Sequence, residues 1–98
     1  METIDNQMLQ IKSLDRNASL GFSEYTGKWY VLADIQIGGD GMLVGVNQHE
    51  SNPADAVDSY FRALTSIPLD RYLVTGSLLD GRTRHWRWNG AAFAEELR

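Results

Sequence analysis

Apolar and polar residues alternate most regularly between Lys28 and Ile37. Trp29, Val31, Ala33, Ile35 and Ile37 fall on one side, and Tyr30, Leu32, Asp34 and Gln36 on the other. A period of two is that of a pleated strand, so this segment predicts one continuous strand with five residues turned toward a core. Leu20 and Phe22 alternate in the same way within 18–25, and Thr26-Gly27 marks a turn between the two segments. Gly38-Gly39-Asp40-Gly41 predicts a hairpin connection into a strand over 42–48 that carries Met42, Val44 and Val46 on one side. After Ser51 the period changes to that of a helix. Val57, Tyr60, Phe61 and Leu64 form a stripe, Asn52 can cap, Pro53 suits the first turn, and Ile67-Pro68 stops the helix near Ser66. Strands follow over 71–77 and 82–88, joined through Asp80-Gly81. Asn89-Gly90 then turns the chain into a short strand or ragged helix over 92–97, anchored by Phe93. Ile4 to Leu14 fits either a helical stripe of Ile4, Met8 and Ile11 or a short strand, and residues 1–17 are read as an N-terminal arm or short helix.

Strands joined by tight turns pair antiparallel, and a lone amphipathic helix can bury its stripe only against such a sheet. The predicted fold class is therefore α+β. An antiparallel sheet of about five strands, in the order β-β-β-α-β-β, is covered on one face by a single amphipathic helix, with a short N-terminal helix as an optional addition. The 98 residues of the chain fit one domain spanning 1–98.

Composition narrows the function classes. Cysteine is absent, which removes disulfides, thiolate metal sites and a cysteine nucleophile. The formal net charge is −4, with carboxylates scattered along the chain and only Glu95-Glu96 adjacent. Nucleic-acid binding draws affinity from counterion release and needs a segregated basic face, so this balance disfavours it. No apolar run reaches the length of a membrane span, and the Met1 end lacks the regions of a signal peptide; the expected location is the cytoplasm.

Motif chemistry is sparse. The glycine run at 38–41 leads into a strand, whereas phosphate-binding glycine loops open a helix. His49 and His85 stand on different predicted strands without metal-ligand spacing, and no serine stands in a nucleophile elbow. Neither a catalytic residue, a metal nor a cofactor is expected. The densest segment is Arg82-Thr83-Arg84-His85-Trp86-Arg87-Trp88-Asn89-Gly90. Alternation places Trp86 and Trp88 inward beneath Val57, Tyr60 and Phe61. Arg84, at the end of that face, snorkels or meets a carboxylate, and His85 and Arg87 face outward. Tyr30, Leu32, Leu43, His49, His85 and Arg87 are expected to share the sheet face turned away from the helix. Because arginine and aromatic side chains dominate interface hot spots, the candidate partner-binding residues are His85, Arg87, Arg84, Tyr30 and Leu32.

The run from Trp29 through the glycine turn and Val46 to Pro53-Ala54-Asp55-Ala56-Val57 resembles antitoxins of the HicB type, in which a two-strand hairpin leads into a helix with a similar opening. The strand-strand-strand-helix order is also similar to double-stranded-RNA-binding domains, although the lysine-rich helix start of those domains is missing. In size, lack of cysteine and tryptophan-rich sheet, the chain resembles small accessory proteins of bacteriophages and mobile elements. That resemblance implies a non-enzymatic, anti-CRISPR-like inhibitor that occludes a host protein's surface in the host cytoplasm. A small RNA- or DNA-binding or antitoxin-like domain is the alternative, and homodimerisation through a sheet edge is a further expectation.

Overall fold

The computed structural model describes residues 4–38, 42–45, 49–67, 71–76 and 83–96. The expectations for Asp80-Gly81, for Arg82 and for the second half of the 42–48 strand lie outside these residues. The elements run α1 (Ile4–Leu14), β1 (Ser19–Ser23), β2 (Lys28–Leu32), β3 (Ile35–Ile37), β4 (Met42–Leu43), α2 (Pro53–Thr65), β5 (Leu73–Thr75), β6 (Arg84–Trp88) and β7 (Phe93–Glu96). The protein is an antiparallel α+β fold. A five-stranded sheet has the order β4-β3-β5-β6-β7, and β1 and β2 form a separate two-stranded sheet.

The anticipated strand over Lys28–Ile37 is broken, and its halves belong to different sheets. β2 pairs with β1, aligning Leu20 with Val31 and Phe22 with Trp29, while β3 pairs with β4 and β5. The break at Ala33-Asp34 has an identifiable anchor. The Asp34 amide donates to Asp15 Oδ2 at 2.9 Å, and Asp15 Oδ1 accepts from the Asn17 amide at 3.0 Å. An amide committed to a side chain cannot serve a ladder, so the chain turns a corner there. The inward residues keep their side across the corner, with Val31 and Ile35 both buried.

α2 forms where its signals are strongest. Asn52 adopts extended dihedrals, its side-chain oxygen accepts from the Asp55 amide at 2.8 Å, and its Nδ2 donates to Asp55 Oδ2. This reciprocal cap satisfies donors that the first turn leaves open. Its stripe of Ala56, Val57, Tyr60, Phe61 and Leu64 is buried. A second helix joins it: the N-terminal segment is a regular helix, packed on α2. Gln7 Nε2 donates to Asp58 Oδ1 at 2.8 Å, and Asp58 also meets Arg62 one turn on. Ile11 and Leu14 enter the same core as Val31, Ile35, Leu73 and Trp86, so the layer over the strands comprises two helices instead of one.

In the five-stranded sheet, Ile37, Leu73, Trp86 and Glu95 lie in register on one face, and Gln36, Val74, His85 and Glu96 on the other. The first face meets α2. Phe61 sits edge-on to Trp88 and Phe93, with centroids 5.8 and 6.4 Å away, and Trp86 Nε1 donates to Thr75 Oγ1 at 2.9 Å in the interior. Trp86 is thus a core residue and Trp88 packs against the core, as their alternation predicts, whereas Trp29, also expected to face the core, is only half-buried. The 42–48 segment departs from expectation: β4 holds two residues, the chain turns at Val44-Gly45 with Gly45 at φ 73°, and Met42 is exposed.

Tyr60 is buried, yet its hydroxyl has no hydrogen-bond partner among the described residues. Burial, with smaller contributions from the Asp15 and Asp34 carboxylates, pushes its ionisation well above the usual phenol value. A buried, unsatisfied hydroxyl costs stability, so Tyr60→Phe should raise the unfolding free energy by about 1 kcal/mol in urea titrations at pH 7. The raised value also gives the alkaline sign. The native state holds its proton while the unfolded chain releases it from about pH 10 upward, so this contribution is complete below pH 10 and is lost as pH climbs. The phenylalanine variant should lose that slope, and an unchanged slope would contradict the assignment.

Candidate functional site

The five candidate contact residues fall on three surfaces. His85 and Arg87 stand on the outer face of the five-stranded sheet. Arg84 lies at the margin of the inner face, because neighbouring strand residues point to opposite sides. Tyr30 and Leu32 belong to β2, in the other sheet.

The arginines of β6 are engaged within the fold. Arg84 donates to Glu95 through Nε at 2.9 Å and Nη2 at 2.7 Å, and its guanidinium lies 4.6 Å from the Trp86 ring centroid. This two-pronged bond raises the guanidinium's pKa and lowers that of the Glu95 carboxyl, both groups being exposed. Arg87 pairs with Glu96 through Nε, donates from Nη1 to the Arg71 carbonyl at 3.1 Å, and lies over the Tyr72 ring. Adjacent carboxylates on β7 therefore serve opposite faces of one strand. Glu95-Glu96, in the segment read as a short strand or ragged helix, lies in β7 and clasps β6.

Both histidines lie against tyrosines, and each tyrosine covers a glycine. Tyr30 stacks on His49 with centroids 5.3 Å apart, and its ring occupies the space a Cβ on Gly21 would need. Tyr72 contacts His85, also at 5.3 Å, and its ring occupies the corresponding space over Gly38. Sequence spacing hides these two Gly-Tyr-His arrangements, because each is assembled from three separate segments.

An open apolar groove lies at the corner between the sheets. A cavity of about 240 Å³ is lined by Tyr30, Val31, Leu32, Ala33, Leu43, Val44, Gly45 and His49. It adjoins a second of about 370 Å³, which shares Leu32, Ala33 and Leu43 and ends at Asp15, Asn17 and Asp34. Leu32 is 61% and Leu43 45% exposed, although they come from different sheets. Tyr30 and Leu32, two of the five candidates, thus meet Leu43 and His49 in one place, while His85, Arg87 and Arg84 lie elsewhere. A smaller cavity of about 90 Å³ between α2 and the sheet is bounded by Leu64, Arg71, Trp86 and Trp88 among others. That is room for a few water molecules. Among the described residues, no group of three or more His, Asp or Glu side chains gathers to hold a metal ion, and no helix is long and apolar enough to cross a membrane.

Comparison with known proteins adds no relative: no protein family, curated protein or solved structure matches this chain.

Proposed function

We propose that the protein is a non-enzymatic docking module that acts by covering part of a partner protein's surface, as an inhibitor does. The observation that carries this reading is the convergence of Leu32 and Leu43, both exposed, on one groove backed by the Tyr30–His49 stack. Exposed large apolar side chains gathered around a concavity favour association, and aromatic walls supply rigid contact area. The reading suits the phage-type accessory inhibitors that the chain resembles in kind, working in a host cytoplasm. Nucleic-acid binding draws less support, since Arg84 and Arg87 are matched by Glu95 and Glu96 in the same strand pair.

Burying a leucine side chain is worth about 1.5–3 kcal/mol. Leu32→Asp combined with Leu43→Asp should therefore leave the thermal transition within a few degrees of the parent and lower partner affinity by about 100-fold or more. Affinity capture from host lysate, followed by titration calorimetry with the captured protein, provides the measurement. Undiminished capture by the folded double variant would move the docking surface away from the groove, with the His85–Arg87 face next in line.

A further inference from the structure

The groove is polarised, and its polarity bears on what fills it. One end is the Tyr30–His49 stack, and Asp15 and Asp34 are among the residues that line the other. Among the described residues, no lysine or arginine lines either cavity. Asp15 is fixed in place, with both of its oxygens accepting backbone amides. Asp34 is exposed, and its carboxylate makes no hydrogen bond or ion pair among the described residues. The buried Tyr60 hydroxyl, raised in pKa chiefly by burial and to a lesser extent by these two carboxylates, has no hydrogen-bond partner among the described residues. The result is an apolar floor of Leu32, Ala33 and Leu43 that leads to two aspartates, with no described lysine or arginine lining the groove beside them.

Taking the docking role as its premise, we infer that the groove receives a partner segment that carries an aliphatic side chain next to a lysine or arginine. The aliphatic group lies against Leu32 and Leu43, and the cation meets the Asp34 carboxylate. An acidic segment or a nucleic-acid phosphate at the same position would be repelled, and a neutral apolar ligand would leave the carboxylates without a counterpart. Asp34 is suited to the contact because its backbone amide, held by Asp15, fixes where its side chain starts.

The test uses the full chain, immobilised, with a phage-displayed library of random twelve-residue peptides as probe. Selected sequences are expected to combine a Leu, Ile, Val or Met with a Lys or Arg within a few positions. The best of them, made synthetically, should bind about tenfold more weakly to Asp34→Asn and to weaken further as salt rises. Against Asp34→Lys its basic residue should become a liability, so that a Glu-substituted peptide binds better. Asp34→Asn keeps the backbone amide and its bond to Asp15, and circular dichroism checks that the fold survives. Peptides that need Leu32 but bind Asp34→Lys unchanged would overturn the charge assignment while leaving the docking role standing. A selection that yields no Leu32-dependent sequence would overturn both. Self-association in sedimentation runs that Leu32→Asp abolishes would give the groove to a second copy of the chain and overturn the inference.

Discussion

Phe61→Ala should lower the unfolding free energy by about 3–5 kcal/mol, the largest single loss expected here. The ring is buried on α2 and stands edge-on to Trp88 and Phe93, which are themselves 4.8 Å apart. These three rings pack together between the helix and the last two strands. Truncation forfeits the transfer free energy of the ring and leaves a void that Trp88 and Phe93 can fill only by leaving the geometry that β6–β7 pairing sets. For a domain that stands on the order of 5–15 kcal/mol above its unfolded state, that loss is a large fraction of the total. Urea titration followed by near-UV circular dichroism would report it, with exchange of the β7 amides accelerating before those of β3. A loss below about 1 kcal/mol would show that the aromatic trio is not the keystone of this end of the core.

The second large effect concerns Gly38→Ala, expected to cost about 1–3 kcal/mol through overpacking. Gly38 is not among the glycines at positive φ, so its backbone accepts alanine without strain. The obstacle is Tyr72: an added Cβ would stand 2.1 Å from Tyr72 Cε2. The ring must leave its place, and with it go the contacts to His85 and Arg87. A double-mutant cycle isolates this cause. In a Tyr72→Ala background the same Gly38→Ala change should cost almost nothing, because its obstacle is gone. Equal costs in both backgrounds would locate the penalty elsewhere, for instance in the adjoining 2.8 Å bond from the Gly38 amide to the Tyr72 carbonyl. The variant also separates two surfaces. It should disturb the His85 face and leave the groove proposed for docking at Leu32 intact.

How much of this was legible in the sequence varies by element, for physical reasons. α2 was readable because cap, first-turn proline and apolar stripe agree. The inward tryptophans were readable because alternation over Arg84–Trp88 offers one way to bury two indoles. The corner at Ala33-Asp34 was hidden, since the apolar alternation runs through it unbroken and its anchor, Asp15, lies 19 residues away. Met42 misled for a related reason: a period of two says which side a residue takes, not whether the core reaches that far. At the surfaces, the outward placement of Tyr30, Leu32, His85 and Arg87 followed from alternation. Their division between two sheets did not, because strand pairing is a long-range choice. The clasp of Arg84 and Arg87 by Glu95 and Glu96 was also beyond reach, since it requires knowing that the last segment pairs with β6.

The corner has one more consequence. β2 and β4 supply the two leucines of the groove, yet each is laced into its own sheet, and among the described residues no ladder joins them. The groove is a seam between two separately bound leaves, with the Asp15 carboxylate acting as the stitch at its spine. A tilt of the leaves would widen or narrow that seam without unlacing either one. Substitutions at Asp15 are therefore expected to alter the shape of the groove proposed for docking.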